Sequence, residues 1–328
     1  MARMLHAIWP AYRPRWWGRV WHMLPAIDRH LAPPDILPAV GQRAEDVATP
    51  ALLLDLAAME RNCSALTQAL APHAGRVRAR PHAKAFKSSK LAEALPFERA
   101  CCQTVREAES MVRGGIMDVL VTNQVLGSKL RRLTALAAKG ATVAALVDAP
   151  IHVDALNAAA AEAGVTIEAY VEIDGGQQRC GVAGGSDEAL SLAQAVVAAP
   201  SLKLGGLQCY HGAIQHVRSA AERRQKVLQG PVAAARATID RLVAAGIDCS
   251  ELVISGGGTG TFPYELEGGV HTEIQPGSFL FMDGDYNQNE DSADRFEQSL
   301  FVLATVISRC EPPYCLYYDT SIRAHCID

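Results

Sequence analysis

Short β-rich runs alternate with longer alanine-rich segments along most of this chain. Several of the runs are apolar without strict alternation, which is typical of strands buried on both faces of a parallel sheet. Most of the intervals carry the i, i+3, i+4 spacing of amphipathic helices, most clearly in 128–140 and 220–246. The runs predicted as strands are 76–84, 100–105, 118–123, 142–148, 166–174, 202–212, 251–257 and 278–283.

Eight β/α units of this kind predict an α/β fold built on a TIM (β/α)8 barrel, whose usual size is about 250 residues. An open doubly wound sheet is the alternative, but no Gly-rich fingerprint follows the first run as it does in dinucleotide-binding sheets. Two more strand-like pieces, 300–308 and 314–320, follow the eighth run with no helix between them. They predict the start of a β-type appendage.

Composition narrows the class of protein. Of the 328 residues, 49% are hydrophobic and 20% are charged, as in an ordinary soluble globular protein. A net charge of −4 gives no reason to expect nucleic-acid binding. The 9 cysteines are irregularly spaced without a CxxC pair, which excludes zinc-ribbon and thioredoxin motifs. We therefore expect free thiols in a reducing cytoplasm.

The segment 1–32 differs from the rest of the chain. It contains five arginines, one acidic residue and all 4 tryptophans. One interpretation is a membrane-surface or targeting segment, because arginine and tryptophan suit an interface. The other is a poorly ordered extension. No apolar run reaches the roughly 18 residues that a membrane span needs, so we expect no membrane span.

Two features at predicted strand ends indicate chemistry, because TIM-barrel active sites lie at the carboxyl ends of the strands. Lys84 ends the first run, and a lysine that is desolvated and close to other cations can form a Schiff base. The sequence GGGTGT, residues 256–261, follows the seventh run, where barrels often bind phosphate through successive backbone amides. Together they favour a phosphate-bearing aldehyde such as pyridoxal 5'-phosphate. The alternatives are a solvated lysine and a plain turn.

Other polar residues stand at neighbouring strand ends. Gln103, Arg179 and Tyr210 are placed to contact the ring of such a cofactor. The alternative for Tyr210 is a buried tyrosine with a satisfied hydroxyl, and for Arg179 a surface ion pair. His211 and His216 are candidates for a base, or are structural histidines.

Eight segments, 49–62, 80–88, 101–109, 114–125, 171–182, 206–216, 253–261 and 273–286, follow the order of a known group of enzymes. The chain resembles the metal-activated pyridoxal phosphate enzymes that include D-threonine aldolase, 3-hydroxy-D-aspartate aldolase and D-serine dehydratase, which have an alanine racemase-like fold. Among these, it looks most similar to the 3-hydroxy-D-aspartate aldolase branch.

The resemblance implies a function and a site. It implies a lyase that cleaves a D-3-hydroxy amino acid, D-threonine or 3-hydroxy-D-aspartate, to glycine and an aldehyde, with Lys84 as the catalytic lysine. The alternatives are β-elimination of the D-serine dehydratase type, a non-catalytic pyridoxal phosphate carrier, and an inactive truncated homologue. The implied cofactor-binding residues are Lys84, Gln103, Arg179, Tyr210, Gly257, Gly258, Thr259 and Tyr286.

The resemblance also implies a domain organisation and a metal requirement. A divalent metal, Mn or Mg, is bound in this group by a His-x-Asp or His-x-Cys pair in a C-terminal β domain. The adjacent His325 and Cys326 do not reproduce that pair, so we expect the metal ligands to be absent from this chain. The partner would be a small-molecule D-amino acid, with a homodimer as an open option. The implied segments are 1–48 as an N-terminal extension, 49–57 as a strand of the β domain, 58–295 as the cofactor-binding barrel and 296–328 as the start of an incomplete β domain.

Overall fold

The computed structural model describes residues 40–291, 295–309, 316–318 and 323–324. They form two compact units, one of residues Leu54–Phe301 and one of the described residues before and after it. The arginine- and tryptophan-rich segment 1–32 and the pair His325–Cys326 lie outside the described residues. Within the described ranges, no helix has the length and apolar character needed to cross a membrane.

The larger unit contains the predicted barrel. Strands along the described chain are β1 Ala51–Leu54, β2 Arg78–Ala79, β3 Arg99–Cys102, β4 Asp118–Gln124, β5 Thr142–Val147, β6 Ile167–Asp174, β7 Val182–Ala183, β8 Leu202–Cys209, β9 Val253–Gly256, β10 Glu273–Ile274, β11 Leu300–Leu303, β12 Val306–Arg309, β13 Leu316–Tyr318 and β14 Arg323–Ala324. The main sheet has the order β2-β10-β9-β8-β6-β5-β4-β3, and all its pairs are parallel. The short β7 pairs only with β6.

The two ends of this sheet meet through an isolated bridge. His82 pairs in parallel with Cys101 of β3. The Ala83 amide donates to the Cys101 carbonyl at 2.7 Å, and the Cys101 amide donates to the Pro81 carbonyl at 2.9 Å. The (β/α)8 barrel is therefore confirmed, and its closure runs through the segment that carries Lys84.

The predicted eighth strand is wrong. Residues 278–283 do not pair in the sheet, and Ser278–Leu280 form a 3-10 turn instead. The eighth strand is β10, which pairs with β2 and β9. Pro276 has no amide hydrogen, so the ladder cannot continue into the apolar run. The first strand is also shorter than predicted, because β2 covers only Arg78–Ala79 of the predicted range 76–84.

The helices along the described chain are α1 Leu56–Leu70, α2 Ser89–Ala94, α3 Val105–Arg113, α4 Lys129–Ala137, α5 Pro150–Ala163, α6 Asp187–Ala198, α7 Ala220–Val227, α8 Ala233–Ala244 and α9 Phe262–Gly268. Several begin at a side chain that caps the first turn: Asp55, Thr104 and Ser186 each accept a backbone amide three residues on. The predicted helical stretch 220–246 is interrupted by a π-helical turn at Leu228–Val232, where Pro231 removes an amide donor.

A buried ion network supports the barrel on the side of the shortest strands. Arg80, only 2% exposed, donates from Nε to Glu273 Oε1 of β10 at 2.8 Å and from Nη1 to Asp118 Oδ1 of β4 at 2.6 Å. Ser255 Oγ of β9 donates to the same Glu273 oxygen at 2.7 Å. These bonds connect β4, β9 and β10 with the segment that leads to Lys84.

The smaller unit contains the predicted β-type appendage. The predicted strand 300–308 divides into β11 and β12, because residues 304 and 305 leave the ladder. β12 pairs antiparallel with β13, and β13 with β14. The predicted strand at 49–57 is β1, which pairs with β11. The four segments expected from the sequence, with the boundaries between them, stay predictions.

Candidate active site

A cavity of about 580 Å³ opens where the barrel strands end. Its walls come from the segments that follow β2, β6, β8, β9 and β10, so it occupies the position that TIM barrels use for catalysis. Six of the eight cofactor-binding residues expected from the sequence line it: Lys84, Arg179, Tyr210, Gly258, Thr259 and Tyr286.

The other two expected cofactor-binding residues, Gln103 and Gly257, do not line the cavity. The Gln103 amide donates to Glu107 Oε2 at 2.7 Å, and its carbonyl accepts Asn123 Nδ2 at 2.6 Å. Gly257 is buried with φ +69°, and a Cβ there would lie 3.2 Å from the Glu265 carboxyl group. The structure therefore brings six of the eight expected residues together in the cavity and leaves Gln103 and Gly257 out of its lining.

Lys84 is exposed to the cavity, with Nζ 5.7 Å from the centre of the Tyr210 ring. Desolvation by the surrounding protein atoms lowers the pKa of Lys84, and the Arg179 guanidinium lowers it further. A lysine with a lowered pKa has more of its amine in the neutral, nucleophilic form at neutral pH. The position and the electrostatics of Lys84 thus suit attack on an aldehyde.

His82 and Tyr210 flank this lysine in fixed protonation states. Burial, together with the charges of Lys84 and Arg179, lowers the pKa of His82 to about 3. Its Nε2 lies 3.1 Å from Thr122 Oγ1. Burial raises the pKa of the Tyr210 hydroxyl above its usual range. At neutral pH His82 is therefore a neutral imidazole, and Tyr210 keeps its hydroxyl proton.

The loop 256–261 forms the wall of the cavity after β9. Gly258 and Thr259 line the cavity, and a Cβ on Gly258 would lie 2.5 Å from Gln215 Oε1. Only glycine fits there without moving the buried glutamine. Thr259 Oγ1 accepts the Phe279 amide at 2.9 Å, while the Thr259 amide has no protein partner among the described residues.

The two candidate histidines, His211 and His216, line different cavities. His216 lines the cavity, its ring centre 5.2 Å from that of Tyr286, and its Nδ1 pairs with the Asp285 carboxylate. His211 lies in a different cavity beside Lys226, and its Nδ1 has no partner among the described residues. A carboxylate that holds Nδ1 orients the imidazole and fixes its tautomer, as in catalytic His–Asp pairs.

One group of potential metal ligands occurs among the described residues. Ligand atoms of Asp148, Glu172 and Cys180 lie within 4.8 Å of one another. Asp148 already bonds His152 at 2.9 Å, and burial, followed by the charge of Glu172, raises the pKa of the Cys180 thiol. Manganese and magnesium prefer an oxygen-rich set, so a protonated thiol in this group does not fit either ion.

Several residues of the cavity wall had no role assigned from the sequence, among them Gln177, Gln275 and Ser278. Gln177 stands in the loop after β6, close to the expected Arg179, and its Oε1 accepts the Gly212 amide at 2.7 Å. Gln275 directly follows β10. Placing the eighth strand at 278–283 moved the expected strand end past it, so correct strand placement was the signal that would have identified it.

Comparisons with known proteins identify the family of this chain. A family model described as alanine racemase, N-terminal domain, matches residues 54–285. The chain is 38% identical over 305 residues to 3-hydroxy-D-aspartate aldolase of Paracoccus denitrificans (strain Pd 1222), covering 90% of this chain and 77% of that protein. It is 42% identical over 287 residues to D-threonine aldolase of Arthrobacter sp, covering 85% and 73%.

A solved structure extends the agreement to three dimensions. The crystal structure of D-threonine aldolase from Filomicrobium marinum matches with a TM-score of 0.77 and 40% identity, over 83% of this chain and 74% of that chain. The family model alone spans more than half of the sequence, and the relatives align along most of their own length. The chain therefore belongs to the family of the alanine racemase N-terminal domain, alongside aldolases of D-3-hydroxy amino acids.

Proposed function

We propose that this protein is a pyridoxal 5'-phosphate-dependent lyase that cleaves a D-3-hydroxy amino acid, D-threonine or 3-hydroxy-D-aspartate, to glycine and an aldehyde. The observation that carries the proposal is the meeting of Lys84 and the Gly258–Thr259 loop in one cavity. The aldolase names of relatives 38% and 42% identical to this chain support it. Membership of the family implies dependence on pyridoxal phosphate.

The residues of the cavity fit this cofactor. The loop at Gly258 is close-packed against Gln215, and the adjacent Thr259 amide has no protein partner among the described residues, as a phosphate-binding loop requires. Lys84 supplies an amine of lowered pKa for the aldehyde. Gly258, Thr259 and Tyr286 would hold the phosphate, and Arg179 and Tyr210 the ring. When bound, pyridoxal phosphate supplies an electron sink for the cleavage of the α–β bond.

A residue of this chain can accept the proton of the substrate hydroxyl. Retro-aldol cleavage requires a base that removes this proton as the α–β bond breaks. His216 lines the cavity, and Asp285 occupies its Nδ1, so Nε2 is the nitrogen available to accept a proton. Arg218 donates to the same Asp285 carboxylate and keeps the His–Asp pair in place.

We also propose a cytoplasmic location for the protein. We further propose that a divalent cation, Mn or Mg, is needed for full activity. The metal expectation comes from the resemblance to metal-activated enzymes. Asp148, Glu172 and Cys180 do not fit such an ion, so the proposal assigns no ligands. The expected signature is glycine release that rises when MnCl2 or MgCl2 is added to protein treated with a chelator.

Product analysis tests the proposed reaction. The full chain, supplied with pyridoxal phosphate and Mn²⁺ or Mg²⁺, is incubated with D-threonine and with 3-hydroxy-D-aspartate. We expect glycine and an aldehyde in equal amounts from at least one of them and no product from L-threonine. A 2-oxo acid with ammonia would show β-elimination instead. Absence of glycine from both D substrates would refute the proposed reaction.

A further inference from the structure

A buried polar layer lies directly behind the phosphate-binding loop of the proposed site. It consists of Gln215, Thr261 and Glu265, which are 1%, 0% and 2% exposed. Gln215 Nε2 donates to Thr261 Oγ1 at 2.8 Å, and Thr261 Oγ1 donates to Glu265 Oε1 at 3.0 Å. None of the three lines the cavity, so they act on a ligand only through the loop.

The hydrogen bonds of this layer have one direction. The Thr261 hydroxyl accepts from the Gln215 amide group and from the Gly258 amide, the latter at 3.2 Å. Because both of its lone pairs are occupied, its single proton goes to Glu265. Gln215 is fixed in turn, since its Oε1 accepts the Gly260 amide at 2.9 Å and its backbone carbonyl accepts Asn289 Nδ2 at 2.9 Å.

These bonds decide which amides of the loop are available. The layer binds the amides of Gly258 and Gly260, while the amide of Thr259 between them has no protein partner among the described residues. Gly260 packs closely on Gln215, because a Cβ on Gly260 would lie 2.6 Å from the Gln215 carbonyl oxygen. Because the layer binds the amides of Gly258 and Gly260, the Thr259 amide between them is left to bind a ligand in the cavity.

Glu265 completes the layer as a neutral acceptor. Its Oε2 is buried and has no hydrogen-bond partner among the described residues. Burial raises the pKa of Glu265 to about 8, so at neutral pH it is mostly protonated and adds little negative charge behind the loop. An anion bound on the other side of the loop therefore meets no strong repulsion from it.

We infer that Gln215 and Thr261, with Glu265 behind them, are positioning residues that orient the Gly258–Thr259 loop and thereby set the preference for a phosphorylated aldehyde cofactor over its unphosphorylated form. The inference rests on the proposed function, because it takes the loop as the phosphate site. The three residues lie outside the cavity lining, and their predicted effect is on the selectivity between the two ligands.

The test compares two ligands on one protein. The full chain is titrated with pyridoxal 5'-phosphate and with pyridoxal, and binding is followed by visible absorbance. Thr261→Val removes the hydroxyl at nearly constant shape, and Thr261→Ser keeps it. We expect Thr261→Val to weaken binding of the phosphorylated ligand about tenfold and leave pyridoxal binding unchanged, as for a lost hydrogen bond. Thr261→Ser is expected to restore the wild-type ratio.

The outcomes separate the inference from the proposed function. If Thr261→Val leaves the ratio of the two affinities unchanged, or weakens both ligands equally, the inference is overturned. If circular dichroism shows that Thr261→Val does not fold, the ratio of the two affinities is measured with Gln215→Met, which removes the same contact from the other side. If the wild-type protein itself shows no preference for the phosphorylated ligand, the phosphate site in the proposed function is wrong.

Discussion

Glu265 makes the stability of this protein depend on pH in an unusual direction. Burial raises its pKa from the ordinary 4.5 to about 8. Between these two values the unfolded chain has lost the proton while the folded protein keeps it. The folded state then binds more protons than the unfolded state, so the free energy of unfolding falls as pH rises. Below pH 4.5 both states are protonated, and the effect is absent.

The size of the effect follows from the two pKa values. Each pH unit in this window costs about 1.4 kcal/mol of stability, so by pH 7 the carboxyl group costs roughly 3 kcal/mol. Glu265→Gln keeps the shape and the acceptor for Thr261 but cannot ionise. We therefore expect its stability relative to the wild type to increase by roughly this amount between pH 4.5 and pH 7.

Urea unfolding followed by far-UV circular dichroism at pH 5, 6, 7 and 8 measures this difference. Glu267→Gln is the matched control, because Glu267 stands two residues on, is exposed and pairs with Arg224, which lowers its pKa. The control is expected to show no gain in relative stability as pH rises. A difference between wild type and Glu265→Gln that stays constant over this range would refute the reasoning.

Three further predictions concern the barrel and the cavity. Arg80→Met removes the buried one of the two arginines that pair with Glu273, while Arg78 stays, and is expected to cost about 3 kcal/mol in urea unfolding. Arg61→Met, at an exposed ion pair, is expected to change stability little. Equal effects of the two substitutions would contradict the role of the buried network. In steady-state assays of glycine release, His216→Asn is expected to lower kcat about 100-fold or more while pyridoxal phosphate binding stays intact. His211→Asn is expected to lower kcat much less. The reverse order would exclude His216 as the base. Gly258→Ala places a Cβ 2.5 Å from Gln215 Oε1 and is expected to weaken pyridoxal phosphate binding at least tenfold in an absorbance titration. Gly284→Ala, with open space around its Cβ, is expected to leave this binding unchanged. Equal binding by the two variants would contradict the assignment of the Gly258–Thr259 loop as the phosphate site.

The barrel was predictable because its buried strands are apolar and its helices are periodic. The eighth strand was not, for two reasons visible in the structure. The apolar run at 278–283 has the composition of a strand, but Pro276 ends the ladder before it. The true strand β10 begins with Glu273, whose buried carboxylate pairs with Arg78 and Arg80, and no local pattern shows that pairing.

The site was predictable to a similar degree. Lys84 and the loop 256–261 both follow strands, and the barrel rule brings strand ends together. The role of Asp285 was not predictable, because it reaches His216 across 69 residues of sequence. Nor did the sequence separate His216 from His211, five residues apart, since their separation into two cavities depends on the turn at Ala213–His216.

The function and the inference about the phosphate loop both depend on one claim, that Lys84 binds the aldehyde of pyridoxal phosphate in the cavity lined by Gly258 and Thr259. Reduction of the loaded protein with borohydride fixes the cofactor on the residue that binds it, and peptide mass spectrometry locates it. The account predicts a pyridoxyl phosphate adduct on Lys84 and none in Lys84→Ala. An adduct on Lys87 or Lys90 with Lys84 unmodified, or no adduct after loading, would contradict it.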